Sequence, residues 1–242
     1  MIDSNTQSIR ETASDEIAAL RQQLFCEPEK KQLTLLDKLA SFGDEGLSAI
    51  AEFLQASDRN SPTPALGKAE LLLLAADTPQ TRTFLETHFP DGIVPLHSEQ
   101  NIDCSPIARA LREQDFLNAD RLTLEKLCEL VGPSAIQRKW LFFSEVEKIP
   151  IADLRAIDSL WRVYSEGKFG YSVQREIWLA QGKDFGKLWS KIGWKTDKNW
   201  TRYPNEFIWN VSAPRGHLPL SNQLRGVRVI AKLFDHPAWS VD

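Results

Sequence analysis

Cysteine is scarce in this chain, and the three that occur, Cys26, Cys104 and Cys128, stand far apart with no CxxC. That spacing excludes a zinc clamp and a disulfide framework, and it predicts reduced, mostly structural thiols in a cytosol-like compartment. Histidine is nearly as scarce. His88, His97, His217 and His236 are scattered, and none sits at metal-ligand spacing from Cys, Asp or Glu. Long apolar runs are missing too: the longest, LLLLAA from Leu71 to Ala76, is too short for a membrane-spanning helix. The first twenty residues carry acids early and hold no apolar core, so neither a secretory signal nor an Arg-rich transit peptide is expected there. Catalytic signatures are also lacking, with no P-loop, GxSxG, HExxH or GxGxxG. Acid pairs such as Glu145 and Glu147 lie two apart and do not share a helix face.

What is present is unevenly spread. Hydrophobic residues make up 42% of the 242, enough for a buried core. Residues 1–100 hold 8 Lys+Arg against 16 Asp+Glu, whereas residues 101–242 hold 21 against 17. All eight tryptophans fall in the second part. Two compositions predict two domains: an acidic helical bundle over 1–95 and a core domain over 100–242. Between them, Pro90, Gly92, Pro95 and Pro106 mark a loop or extended linker over 89–106.

The apolar spacing predicts an all-α fold. In the first part, Leu33, Leu36 and Leu39 share one face and Leu47, Ile50 and Leu54 another. Ser14 is expected to cap the first helix, and Asp77 or Thr78, with Pro79 behind it, a later one. No strand alternation or clear sequence repeat occurs there. In the second part, Ile151, Leu154, Ile157, Trp161 and Tyr164 form one stripe. Ser172 and Asp184 are expected to cap the next two helices, stopped by Gly182 and Gly193. The helical signal then fails from Trp194 to Leu220, where EFIWNVS alternates briefly, as a strand would. A last helix is expected from about Ser221 to Phe234.

Two constellations stand out. The loop carries Trp194, Trp200, Tyr203, Phe207 and Trp209 within sixteen residues. Such rings either pack a loop down or line a pocket. On the last predicted helix Leu224, Val227, Ile230 and Phe234 form a core stripe, with Arg225, Arg228 and Lys232 beside it. Two guanidiniums three residues apart are either a solvated flank or a clamp for planar oxyanions. Lys183, Lys187, Lys191, Lys195, Lys198 and Arg202 add a basic patch, but a domain net charge of +4 falls short of a nucleic-acid footprint. His217, in RGHLP, has no sequence-adjacent partner and reads as a structural histidine bonded to its loop.

DLRAIDSLWRVYSEGKFGYSVQREIW, DFGKLWSKIGWK and SAPRGHLPLSNQLRGVRV resemble the genomes-uncoupled-four family. These are tetrapyrrole-binding regulators of magnesium chelatase. The resemblance covers about residues 100–240, and the acidic bundle resembles the N-terminal domain of cyanobacterial members. It implies a non-enzymatic protein whose core is an all-helical cupped hand. Its bound ligand would be protoporphyrin IX or Mg-protoporphyrin IX, with no intrinsic metal. It would stimulate the chelatase, whose porphyrin-binding large subunit would be its partner. A cytoplasmic location with peripheral thylakoid association is implied as well, and nucleic acid is not.

A porphyrin needs wide apolar walls and cations at one edge. The resemblance places ligand contacts on Leu218, Leu220, Asn222, Leu224, Arg225 and Arg228. It adds an aromatic in the preceding loop, matched by Tyr203 where members carry tryptophan, with Trp200 beside it. Phe116 matches a contact from the first palm loop. Asn222 matches an asparagine that approaches the metal of the ligand, for which an amide oxygen is a suitable hard donor. Two other readings stay open on the same fold: a protein-interaction or signalling module, and a bilin carrier. An enzyme acting on tetrapyrroles would need a catalytic constellation that the sequence lacks.

Overall fold

The computed structural model describes residues 3–197, 199–221 and 226–240, with side chains from Ser14 onward. It is all-α apart from one small hairpin, and it divides into two compact units, Met1–Ile93 and Val94–Asp242.

The first unit packs five helices: α1 (Asp3–Cys26), α2 (Glu29–Ala40), α3 (Asp44–Ala56), α4 (Pro64–Ala76) and α5 (Pro79–His88). Leu24, Leu36, Leu39, Ile50, Leu54 and Leu73 close its core. α4 is buried on most sides, so its amphipathic signal is weak, and Lys68 within it answers Asp37 at 2.6 Å. α3 approaches the end of α2 so closely that a Cβ on Gly46 would lie 1.7 Å from the Leu39 carbonyl oxygen; only glycine fits. Thr78 caps α5 by accepting from the Thr81 N–H, with Pro79 as the first helical residue. Ser14 does not cap α1: the helix begins eleven residues earlier and runs through it.

The second unit holds α6 (Ser105–Arg112), α7 (Phe116–Val131), α8 (Pro133–Arg138), a 3-10 turn (Phe143–Lys148), α9 (Ile151–Val163), α10 (Tyr171–Ala180), α11 (Phe185–Lys191) and α12 (Arg228–Phe234). A second 3-10 turn, Pro237–Trp239, follows α12. Trp161 of α9 is fully buried and donates its indole N–H to Thr123 Oγ1 of α7 at 2.9 Å. A second core gathers Trp178, Leu188, Trp189, Ile192, Trp194, Phe207, Ile230 and Phe234 from α10, α11, the following loop and α12. Among the described residues, no helix is long and apolar enough to cross a membrane.

Three further expectations need correction, all in the second unit. Asp184 caps α11 as the sequence implies, but Ser172 does not cap α10. Ser172 lies inside the helix, past the N-cap Gly170, and its amide and hydroxyl both donate to the buried Asp158, at 2.8 and 2.5 Å. The EFIWNVS segment forms no strand; the hairpin is Lys195–Thr196 (β1) paired with Asn199–Trp200 (β2). α12 starts at Arg228 rather than Ser221, because Gly226 takes φ +80°, outside helical space.

Candidate functional site

The loop from Trp194 to Leu220 sorts its aromatics into two groups. Trp194 and Phe207 face inward. Trp194 stacks on Trp189 at 5.1 Å and 4° and donates to the His217 carbonyl at 2.7 Å. His217 is itself buried: Nδ1 donates to the Ile192 carbonyl at 2.6 Å, and Nε2 accepts the Ile208 N–H at 3.2 Å. Both ring nitrogens are used by the neutral form, and burial pushes its pKa down. His217 is therefore a rivet through the loop, matching its expected structural role.

Trp200 and Tyr203 face outward, 41% and 56% exposed. Trp200 lies 6.0 Å from Trp189, with the Lys195 ammonium 5.5 Å from its ring. Tyr203 meets Trp209 edge-on at 5.9 Å, and Trp209 donates to the Pro204 carbonyl at 2.9 Å. Burial, then the charge of Asp120, push the Tyr203 phenol up.

The corner after the loop is held from several sides. Gln174 of α10 donates to the carbonyls of Gly216, at 3.0 Å, and Pro219, at 2.7 Å. The Gly170 N–H donates to the Leu218 carbonyl at 3.0 Å, and the Leu220 N–H to Asp120 Oδ1 of α7 at 2.6 Å. Burial raises the Asp120 carboxyl to about 7 despite that hydrogen bond.

Leu220 thus sits on Asp120, whose charge also reaches Tyr203, and Leu220 packs against the second core. Leu218 is fully buried and serves the corner rather than a surface. Phe116 lies one turn before Asp120 but inside the core, 5.5 Å from Phe169 and 6.0 Å from Trp161. Arg228 stands exposed at the start of α12, its guanidinium 5.4 Å from the Phe143 ring. Among the described residues no carboxylate pairs with it. Val227 is 39% exposed and does not continue the core stripe of Ile230 and Phe234. Asn222, Leu224 and Arg225 lie outside the described residues. α12 begins at Arg228 itself, and the expected pairing of Arg228 with Arg225 falls partly outside the described residues.

Sequence reading missed Asp120, Gln174 and Phe143. Asp120 carried a signal: Phe116, Asp120, Thr123 and Leu127 recur at helical spacing and are all buried, which puts an acid on a core stripe. Gln174 and Phe143 carried none. Among the described residues, no group of three His, Cys, Asp or Glu side chains could hold a metal ion.

A family model described as GUN4-like matches residues 97–237, and one described as an ARM-like repeat domain, GUN4-N terminal, matches residues 8–90. The chain belongs to the GUN4-like family. A Ycf53-like protein of Synechocystis sp. is 50% identical over 228 residues, which cover 94% of this chain and 98% of that protein. The tetrapyrrole-binding protein, chloroplastic, of Arabidopsis thaliana is 42% identical over 139 residues, 54% of this chain and 52% of its own. The solved structure of GUN4 from Chlamydomonas reinhardtii matches with a TM-score of 0.57 and 39% identity, covering 60% of this chain and 93% of that one. Both GUN4-like domain types are thus present in this chain, in separate units.

Proposed function

We propose that the second unit binds tetrapyrroles, protoporphyrin IX and Mg-protoporphyrin IX among them, and that the protein stimulates magnesium chelatase through its porphyrin-binding subunit without itself catalysing a reaction. The carrying observation is the outward pair Trp200 and Tyr203, held exposed on a loop that buried Trp194 and His217 fasten down. Exposed rings on a fixed loop offer stacking faces whose ordering needs little further entropy on binding. Leu220 adds an apolar edge, while Arg228 and, outside the described residues, Arg225 supply cations for propionates. Similarity to a relative named for tetrapyrrole binding supports the same ligand class. A cytoplasmic protein that meets the thylakoid surface peripherally fits this role.

The test is a titration with protoporphyrin IX and Mg-protoporphyrin IX, followed by tryptophan fluorescence. Saturable one-to-one quenching, with faster magnesium insertion when the protein is added to chelatase subunits, is the expected result. Folded protein that shows no saturable quenching overturns the reading.

A further inference from the structure

Tyr203 is more than half exposed, and no hydrogen bond among the described residues holds its hydroxyl. Its ring is therefore oriented by the rings around it: Trp209 at 5.9 Å and 89°, and Phe207 at 6.4 Å and 59°. Phe207 is committed to the second core, 6.5 Å from Trp194 and 5.1 Å from the His217 ring. Trp209 stands between that core and Tyr203. It is half-buried, packs against the core, and lies 5.8 Å from Phe207 on one side and closer to Tyr203 than Phe207 does on the other.

Trp209 also holds the backbone. Its indole N–H donates to the carbonyl of Pro204, the residue directly after Tyr203, at 2.9 Å, and the Phe207 N–H reaches the same oxygen at 3.3 Å. Around them the Arg202 N–H donates to Glu206 Oε2 at 2.8 Å, and the Glu206 N–H to the Arg202 carbonyl at 3.0 Å. One side chain thus fixes the turn that carries Tyr203 and flanks its ring as well. Phenylalanine at 209 would keep a ring there but has no donor for the Pro204 carbonyl.

We propose that Trp209 is a positioning residue for Tyr203: it orients that ring before a ligand arrives, and so contributes to tetrapyrrole affinity without touching the ligand. The effect on affinity rests on the reading of Tyr203 as a stacking face, whereas the hold on the ring stands on the turn itself. Immobilising one side chain on binding weakens affinity by about two- to tenfold, and a ring already ordered is spared that loss. A right-angled ring pair supplies order because the positive edge of one ring meets the negative face of the other.

The first arm of the experiment uses the ligand-free full chain. The protein has three tyrosines, of which Tyr164 and Tyr171 are buried. With isotope-labelled tyrosine rings, the Tyr203 signal is assigned by its loss in Tyr203→Phe, and ring relaxation is compared between wild type and Trp209→Phe. The Tyr203 order parameter is expected to fall by about a third in the variant, with Tyr164 and Tyr171 unchanged. A Tyr203 ring equally ordered in both proteins overturns the proposal. If the variant does not fold, the wild type alone decides, since a Tyr203 ring as mobile as free tyrosine cannot be positioned.

A second arm titrates wild type, Trp209→Phe, Tyr203→Ala and the double variant with Mg-protoporphyrin IX, followed by porphyrin absorbance. Trp209→Phe is expected to weaken binding by about two- to tenfold in the wild type and by less than about twofold in the Tyr203→Ala background, because a residue that acts through Tyr203 has nothing left to act on. An equal fold loss in both backgrounds overturns the proposal, as it would place Trp209 against the ligand itself. A loosened ring with unchanged affinity overturns the link between ring order and binding. No binding by any of the four overturns the tetrapyrrole reading, and the relaxation arm still decides whether Trp209 holds Tyr203.

Discussion

Trp194 and Tyr203 belong to one loop, nine residues apart, yet Trp194 is fully buried and Tyr203 is 56% exposed. Trp194 is stacked, hydrogen-bonded and enclosed, whereas Tyr203 meets Trp209 at right angles and Phe207 at a tilt and stays more than half exposed. The difference shows that packing and pocket lining are divided between residues of this loop rather than shared by all of them. Trp194, Phe207 and His217 make the loop a fixed platform. Trp200 and Tyr203 are what the platform presents. Substitutions in the first set should change stability, and substitutions in the second should change binding.

The largest expected effect falls on the buried member. Trp194→Ala removes a large enclosed side chain and orphans the His217 carbonyl, and it should destabilise the protein by about 3–5 kcal/mol. Chemical denaturation measures this, and a loss below about 1 kcal/mol would break the division.

The His217 rivet should appear next, as a pH effect. Its folded pKa is depressed, so its contribution is intact above the unfolded value of 6.5 and is lost as pH falls through the folded one. The slope reaches about 1.4 kcal/mol per pH unit for one proton. His236, also buried and depressed, adds in the same direction. Asp120 opposes both: its pKa is raised to about 7, so its contribution is present below 3.8 and is lost as pH rises through about 7. In His217→Asn, stability measured from pH 7 to 5 should fall less steeply by one proton. An unchanged slope would mean that the histidine is not held neutral.

The two sets differ in legibility as well. Helix existence could be read from apolar spacing, and the caps at Thr78 and Asp184 from local chemistry, because those side chains bond their own helices. Ser172 has the same capping chemistry but is engaged by Asp158, fourteen residues away, which local reading cannot see. The apolar pattern runs unbroken across Gly226, so the backbone turn that delays α12 was hidden behind it. The loop aromatics were conspicuous as a group, but which of them face outward depends on partners in α11 and the corner. The burial of Phe116 follows from Trp161 and Phe169, which arrive from distant parts of the chain. Asp120 shows the opposite case, a stripe legible in sequence whose meaning appears only when Leu220 is seen above it.

On the exposed side, Tyr203→Ala should leave stability within about 0.5 kcal/mol of the wild type, since the ring encloses nothing. The same change should weaken porphyrin binding by about tenfold, the upper range for loss of one stacked aromatic. Tyr203→Trp restores the wider ring that the family resemblance places there, and it should tighten binding by a few-fold. A Tyr203→Ala protein that unfolds early but binds normally would invert the comparison.

The smallest effect is expected at Arg228, and it separates an exposed cation from an exposed ring. The guanidinium stands over Phe143 in solvent, and no carboxylate among the described residues holds it. Arg228→Gln keeps most of the chain length and removes the charge. It should weaken Mg-protoporphyrin IX binding by about two- to fivefold at low salt, as a single solvated contact to a propionate would. Because that contact is screened, the difference should close as salt approaches about 1 M, where the Debye length is about 3 Å. The Tyr203→Ala deficit should persist across the same range, since stacking does not depend on ionic strength. Equal salt responses for the two variants would show that ring and cation act through one shared disturbance of the loop. Divergent responses would make Tyr203 the contact with the ring and Arg228 the contact with its charged edge.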